Sequence, residues 1–180
     1  MNKIILLGYM GSGKSTIAQK LALSLNLPAI DLDQYIEQTE NISIKKLFES
    51  NKEIKFRKLE HQYLKELIQN EESFVLSLGG GTPCYANNHL MLQGNNITSV
   101  YLKASIATLT ERLKHQKESR PLLANQPDDE LSEFIAKHLF ERSYFYTHAT
   151  HTINVDEKSV ETIVKEVNAL NVWSIGDVAD

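Results

Sequence analysis

The chain has 180 residues, 42% of them hydrophobic, and its 23 acidic against 19 basic side chains give a formal net charge of −4. This length suits one hydrophobic core and is short for two domains. The mildly acidic balance excludes the basic stripe with which a non-specific nucleic-acid binder neutralises phosphates. A single cysteine, Cys84, excludes an internal disulfide framework and is typical of a reducing compartment.

The N-terminal sequence indicates neither secretion nor membrane insertion. The apolar run from Ile4 to Leu7 is shorter than the core of a signal peptide, about 7–15 residues, or a membrane span, about 20 residues. We therefore expect a cytoplasmic protein with no membrane partner. We also expect it to work as a monomer and to have no nucleic-acid partner.

Short apolar runs alternate with segments of helical periodicity along the chain. Strands are predicted over 4–7, 28–31, 74–78, 97–102 and 152–155, and helical patterns over 17–25, 52–68, 131–139 and 160–170. This alternation predicts a three-layer α/β/α fold with a central parallel sheet of about five strands. We expect one domain over residues 1–170, followed by a tail, 171–180, whose role the sequence does not indicate. Ligands bind at the carboxyl ends of strands in such folds, so the chemistry is sought there.

The first predicted strand ends in a phosphate-binding motif. Residues 8–15 read Gly-Tyr-Met-Gly-Ser-Gly-Lys-Ser, which satisfies the pattern G-x-x-x-x-G-K-[ST]. Glycines let backbone amides wrap a phosphate, and the following helix adds its positive end. Lys14 can then reach the β- and γ-phosphates, and the Ser15 hydroxyl can ligate Mg²⁺. The motif predicts a nucleoside triphosphate site on a P-loop NTPase fold, rather than a plain glycine-rich turn.

The second predicted strand ends in Asp31-Leu32-Asp33, where strand alternation would put both carboxylates on one side. One could hold Mg²⁺ through water while the other accepts a proton from an attacking hydroxyl. The structural alternative is a helix N-cap, because aspartate is favoured there and the chain from Gln34 is predicted to be helical.

Two features of the middle of the chain are ambiguous by themselves. Arg57 and Glu60 lie three residues apart on a predicted helix, where such a pair is usually solvated. Gly79, Gly80 and Gly81 follow the third predicted strand, which indicates either close approach of the backbone to a ligand or a flexible turn.

A polar stretch over 115–127 suits a mobile lid that closes over the phosphates. Arg120, inside this stretch, could supply positive charge to the transition state as an internal arginine finger. A loop arginine without such a role is the alternative.

Together these motifs resemble the shikimate kinase family, over residues 3 to about 170. The resemblance rests on motifs in the family's order: Gly8–Ser15, Asp31-x-Asp33, Phe56-Arg57-x-x-Glu60, Gly79-Gly80-Gly81, Arg120-Pro121-Leu122-Leu123, and Glu141-Arg142 followed by Tyr144. It implies transfer of the ATP γ-phosphoryl to the 3-hydroxyl of shikimate, in the biosynthesis of chorismate and the aromatic amino acids.

The resemblance also implies roles on the acceptor side. Arg57 and Arg142 resemble the arginines that grip the shikimate carboxylate, and Glu60 resembles the residue that holds Arg57. Asp33 resembles the residue that bonds the reacting hydroxyl, and the backbone of Gly79, Gly80 and Gly81 would contact the ring. Catalysis would fall to Lys14, Asp33 and Arg120.

On the nucleotide side the resemblance implies ATP with Mg²⁺. Mg²⁺ would be held by Ser15 and, through water, by Asp31. Arg112 resembles a residue that stacks on adenine, while Lys158 stands where the family commonly has arginine or glutamine. The ATP-binding residues implied are Gly11, Ser12, Gly13, Lys14, Ser15, Thr16, Arg112, Arg120 and Lys158.

Two alternatives stay open at this point. One is another small-molecule P-loop kinase, acting on gluconate or a nucleoside monophosphate. The other is a regulatory domain that binds ATP without transferring its phosphoryl group.

Overall fold

The computed structural model describes residues 2–49, 53–116, 123 and 126–170. Arg120, most of the predicted lid and the tail 171–180 lie outside the described residues. The predicted roles of Arg120 and of the lid therefore stay predictions.

The five predicted strands are all present, each with ends within one residue of the prediction. They are β1 (Lys3–Leu7), β2 (Ala29–Asp31), β3 (Phe74–Ser77), β4 (Ile97–Lys103) and β5 (His151–Asn154). They form one sheet in the order β2-β3-β1-β4-β5, and every pairing in it is parallel. The predicted parallel sheet is confirmed.

The helices of the described residues are α1 (Lys14–Leu25), α2 (Leu32–Glu40), α3 (Ile44–Glu49), α4 (Glu53–Gln69), α5 (Ile106–Lys114), α6 (Leu131–Tyr146) and α7 (Val160–Asn168). α1 packs beside α7, whereas α2 and α3 pack on α4, and α5 packs on α6. All five residues of β1 are buried, because a central parallel strand is covered by helices on both faces. No helix of the described residues is both long and apolar enough to cross a membrane.

The sheet register brings three chain segments to one edge. Asp31 at the end of β2 lies level with Ser77 of β3, and Ser77 lies level with Leu6 of β1. The segments that follow these strands therefore start side by side. They are the turn into α2 and two loops, which we name the phosphate loop (Gly8–Ser15) and the glycine loop (Gly79–Gly81).

Candidate active site

The phosphate loop adopts a backbone that requires glycine at three positions. Gly8, Gly11 and Gly13 have φ angles of 144°, 81° and 96°, which L side chains rarely adopt. A Cβ on Gly8 would also lie 2.7 Å from the Leu102 carbonyl oxygen. α1 starts directly after Gly13, so its N-terminal amides and their partial positive charge face the loop.

Lys14 lies across this loop and is largely buried. Its Nζ donates hydrogen bonds to the carbonyl oxygens of Gly8 and Tyr9, both at 2.9 Å, and the residue is only 8% exposed. The alternative of a glycine-rich turn with an exposed lysine is therefore wrong.

Asp31 caps α2, as the structural alternative predicted, and it also contacts the phosphate loop. Its Oδ1 accepts hydrogen bonds from the backbone amides of Asp33 at 3.2 Å and Gln34 at 3.4 Å, which caps α2. Its Oδ2 accepts a hydrogen bond from the Ser15 hydroxyl at 2.8 Å. One carboxylate thus fixes the helix start and contacts the phosphate loop.

Asp33 lies on a different element from the one predicted. β2 ends at Asp31, and Asp33 lies in the first turn of α2, so strand alternation does not orient it. The pKa of Asp33 is raised to about 7. Burial is the largest cause, the negative charges of Glu60 and Asp31 also raise the pKa, and the positive charges of Lys14 and Arg57 lower it. Its Oδ1 is buried and has no hydrogen-bond partner among the described residues. A carboxyl in this state can exchange a proton near neutral pH.

A cleft of about 460 Å³ joins these groups. It is lined by residues 10–17 of the phosphate loop and α1, together with both aspartates, and by Gly79 and Gly80 from the other side. Arg112 and Lys158 also line it. The structure therefore brings together all the described residues that were predicted to bind the nucleotide.

Arg112 and Lys158 are each held by a polar contact. The Arg112 guanidinium donates to the Gly11 carbonyl oxygen at 3.2 Å, and the Lys158 ammonium lies 2.8 Å from Glu166 Oε2. These contacts hold both basic side chains beside the cleft.

Arg57 and Glu60 form a buried pair, so the interpretation as a solvated pair is wrong. Arg57 Nη1 lies 2.5 Å from Glu60 Oε2, with side-chain exposures of 14% and 1%. Burial tends to lower the pKa of Arg57, but the Glu60 carboxylate outweighs it and the net direction is upward. The guanidinium also lies 5.1 Å from the Phe56 ring centroid and 4.2 Å from that of Tyr85.

The glycine loop is packed against side chains and backbone of the site itself. A Cβ on Gly79 would lie 2.9 Å from Asp33 Oδ1, and one on Gly81 would lie 3.0 Å from Arg57 Nη1. A Cβ on Gly80 would lie 3.2 Å from the backbone nitrogen of Met10 in the phosphate loop. Each glycine thus permits a different close approach, which is a stronger constraint than a flexible turn.

Arg142, on α6, lies beside the phosphate loop. Its guanidinium carbon is 5.5 Å from the Tyr9 ring centroid. The Tyr146 hydroxyl, one turn further along α6, donates to the Gly80 carbonyl oxygen at 2.6 Å. Burial raises the pKa of Cys84 to about 11, while the positive charges of Arg142 and Arg57 both oppose the rise.

Comparison with known proteins identifies the family. The sequence model described as shikimate kinase matches residues 10–170. The chain belongs to the shikimate kinase family. A shikimate kinase from Flavobacterium johnsoniae is 56% identical over 167 residues, 93% of this chain and 97% of that relative.

Solved structures agree with this assignment. A shikimate kinase from Bacteroides thetaiotaomicron has a TM-score of 0.85 at 36% identity, over 96% of this chain and 99% of its own. A shikimate kinase from Acinetobacter baumannii in complex with shikimate has a TM-score of 0.84 at 28% identity, over 94% and 92% of the two chains. The predicted P-loop kinase fold is confirmed, and so is the prediction that the chain is a phosphotransferase of the shikimate kinase family. Membership of a kinase family implies ATP as cosubstrate.

The oxygen atoms in the cleft suit the divalent cation that a kinase family uses. Ser15 Oγ and Asp31 Oδ2 lie 2.8 Å apart, and both are oxygen ligands of the kind that Mg²⁺ prefers. Mg²⁺ usually takes one or two such protein ligands together with phosphates and water. No group of three or more His, Cys, Asp or Glu side chains placed to hold a metal ion is found in the described part of the chain. The protein ligands present therefore fit a metal that arrives with the nucleotide.

Several contacts in this shikimate kinase site lie outside the family motifs. Tyr9 occupies a variable position of the phosphate loop, and Thr82, Tyr85 and Tyr146 are single polar or aromatic residues without a motif. Their contacts depend on tertiary packing between segments far apart in sequence, so periodicity and spacing carry no signal for them. The proline that follows Thr82 is the nearest cue, because it lies in a tight turn, Thr82–Cys84, directly after the glycine loop.

Proposed function

We propose that this chain transfers the γ-phosphoryl group of ATP to the 3-hydroxyl of shikimate, giving shikimate 3-phosphate and ADP in chorismate and aromatic amino acid biosynthesis. One observation carries the proposal. Asp33, with its carboxyl buried and poised near neutral pH, lies in one cleft with the phosphate loop, beside the buried Arg57–Glu60 pair. A relative of the same fold, from Acinetobacter baumannii, was solved in complex with shikimate.

The acceptor is a small ring with one carboxylate and three hydroxyls. Arg57 and Arg142 bind the carboxylate, because a guanidinium fork can bond both carboxylate oxygens. The backbone of Gly79, Gly80 and Gly81 lies against the ring. Arg57 enters this role preoriented by Glu60, which reduces the ordering needed on binding.

Asp33 aligns the reacting hydroxyl and accepts its proton. The hydroxyl oxygen forms a bond to the γ-phosphorus, the bond between that phosphorus and the β,γ-bridging oxygen breaks, and ADP leaves. Because Asp33 Oδ1 is unpartnered among the described residues, it can accept from the hydroxyl without breaking an existing hydrogen bond.

The nucleotide side neutralises the charge that spreads over the transferring group. Gly11, Ser12, Gly13 and Thr16 bind the phosphates, and Lys14 moves from its carbonyl partners to their oxygens. Ser15, and Asp31 through water, hold Mg²⁺, which when bound neutralises charge on the phosphate oxygens. Arg120 completes the phosphate site from the lid, while Arg112 and Lys158 border the adenine.

We further propose that the enzyme works as a cytoplasmic monomer without a membrane or nucleic-acid partner. A net charge of −4 and a single cysteine support this proposal.

The test follows ADP release by the purified chain with Mg²⁺-ATP and, in separate reactions, shikimate, gluconate, several nucleoside monophosphates or no acceptor. We expect release that depends on shikimate. Release with gluconate or a nucleotide instead would keep the kinase and refute the roles of Arg57 and Arg142. ATP binding without stimulated release by any acceptor would support a regulatory domain.

A further inference from the structure

Thr82, directly after the glycine loop, makes a contact that the proposed mechanism does not use. It is 0% exposed, and its Oγ1 donates a hydrogen bond to Glu60 Oε1 at 2.5 Å. The other oxygen of that carboxylate, Oε2, accepts from Arg57 Nη1 at 2.5 Å. Glu60 is therefore held between a hydroxyl on one side and the guanidinium on the other.

The backbone of Thr82 is held in place by two hydrogen bonds. Its amide donates to the Gly79 carbonyl oxygen at 3.1 Å, and its carbonyl oxygen accepts from Asn88 Nδ2 at 2.8 Å. Asn88 is fully buried, and its Oδ1 lies 2.8 Å from His61 Nδ1 on α4. The turn that carries Thr82 is thus tied to the helix that carries Arg57 and Glu60.

Glu60 needs this hydroxyl because its carboxylate is 1% exposed. A buried carboxylate oxygen without a donor loses solvation that nothing replaces. Burial raises the pKa of Glu60, whereas Arg57 and Thr82 both lower it. A neutral Glu60 would hold the guanidinium less firmly, since charged hydrogen bonds are roughly twice as strong as neutral ones.

We infer that Thr82 is a positioning residue for acceptor binding: through Glu60, its hydroxyl holds the Arg57 guanidinium in the orientation that receives the shikimate carboxylate. This inference rests on the proposed function. Thr82 does not touch the acceptor in this role and acts on it only through Glu60 and Arg57. Removal of the Thr82 hydroxyl therefore changes the affinity for the acceptor and leaves the affinity for ATP unaffected.

Two matched variants, Thr82→Ala and Thr82→Ser, test the inference. Both remove the methyl group, and they differ only in the hydroxyl. We expect Thr82→Ala to raise the KM for shikimate about tenfold, in keeping with loss of one hydrogen bond to a charged group. The KM for ATP should stay within about twofold of wild type, and Thr82→Ser should resemble wild type for both substrates.

A double-mutant cycle with Glu60→Gln checks that the effect passes through Glu60. Glu60→Gln alone should raise the KM for shikimate, and adding Thr82→Ala should then change it less than about twofold, because residues that act as one unit are not additive.

The inference is overturned if the Ala and Ser variants behave alike, or if the KM for ATP rises as much as that for shikimate. It is also overturned if Thr82→Ala melts far below Thr82→Ser and its kcat/KM falls equally for shikimate and for ATP, because the hydroxyl then stabilises the fold. Failure of the proposed function is a separate result, seen as wild-type chain that shows no shikimate-dependent ADP release.

Discussion

Asp33 is a carboxyl whose surroundings disfavour its charge, although the proposed reaction uses the charged form. We predict that Asp33→Asn lowers kcat by about 10²–10⁴-fold, the usual contribution of a positioned base. Because Asn keeps the size of the side chain and Asp31 makes the cap of α2, ATP affinity should stay within about threefold of wild type. Steady-state kinetics with a nucleotide-binding titration measures both, and equal losses in the two would assign Asp33 a folding role.

The same carboxyl makes activity depend on pH. With the pKa of Asp33 at about 7, kcat/KM for shikimate should fall as the pH drops below about 7, because this parameter reports the free enzyme. A pH profile between 5.5 and 9 is the measurement, and an acid limb centred near 4 would show that burial does not control this group.

Stability should change in the opposite direction. A carboxyl whose folded pKa exceeds its unfolded value binds more protons in the native state between those values, so stability falls as pH rises from about 4 to 7. We predict that Asp33→Asn raises the free energy of unfolding by about 1–3 kcal/mol at pH 8, and that the gain shrinks toward pH 4. Urea unfolding at pH 8 and pH 5 tests this, and an equal gain at both values would contradict it.

Lysine substitutions can separate the proposed acceptor role of Arg57 and Arg142 from the nucleotide site. Arg57→Lys and Arg142→Lys keep the charge and lose the planar fork. Lysine at 57 also leaves a cation beside Glu60, whereas alanine would leave a buried carboxylate unpaired. We expect the KM for shikimate to rise at least about tenfold in each while the KM for ATP changes little. Initial rates with each substrate varied in turn measure this, and a larger effect on ATP would place that arginine at the nucleotide.

Most of these residues could be found from sequence because they stand in motifs, but their environments could not. Arg57 and Glu60 illustrate the limit. Their spacing shows that they can pair on α4. It does not show that Glu60 is buried and accepts a hydrogen bond from Thr82, 22 positions away. Burial then decides whether the pair is a weak surface contact or an oriented anion site.

At the level of elements, the N-cap of α2, Asp31, also contacts the phosphate loop. Asp31→Asn keeps an oxygen that can cap the helix and removes the charge, while Asp31→Ala removes both. We predict that Asp31→Ala lowers the free energy of unfolding by about 1 kcal/mol, and that Asp31→Asn lowers it by less than half as much. Both variants should need more Mg²⁺ for half-maximal rate. Thermal melts and Mg²⁺ titrations measure these effects, and an unchanged Mg²⁺ requirement would leave Asp31 a cap only.

Element boundaries followed the sequence pattern where one helix face is buried and departed from it elsewhere. α6 was predicted over 131–139 but continues to Tyr146. The C-terminal half of α6 does not show the apolar periodicity of a half-buried helix, since its large apolar residues Phe140 and Tyr144 are 85% and 62% exposed. Tyr146 is the buried side chain that holds this half against the site. α3 was not predicted because six residues, Ile44–Glu49, are too few to show a period.

Across the whole molecule, Gly80 connects the acceptor and nucleotide halves of the site. A side chain on Gly80 would press on the backbone of Met10 at 3.2 Å. We predict that Gly80→Ala displaces the phosphate loop and lowers kcat/KM for both substrates about tenfold or more.

Gly94→Ala is the matched control for this substitution. Its Cβ would meet only the Ile97 side chain, at 3.5 Å or more, so we expect wild-type kinetics. Initial rates and melting curves of the two variants are compared, and an effect of Gly80→Ala confined to shikimate would mean that the two loops move independently.

The fold as a whole was predictable because alternating strands and helices permit few topologies. The strand order followed less directly, since no local pattern states that β1 lies between β3 and β4. What the sequence does contain is the site at the carboxyl ends of the strands, because the phosphate loop, Asp31-x-Asp33 and the glycine loop each begin where an apolar run stops.

The central place of β1 has a consequence for synthesis. Lys3 pairs with Phe74 on one side and Ile97 on the other, so the phosphate loop, although made among the first residues, lacks its flanking strands until β4 has left the ribosome. At about 5–20 residues per second, that wait is roughly 5–20 s. Nascent chains that stop before Ile97 carry the complete nucleotide motif and β3, but they lack β4, so one side of β1 has no neighbouring strand. We therefore expect them to bind no ATP and to gain no protection from it.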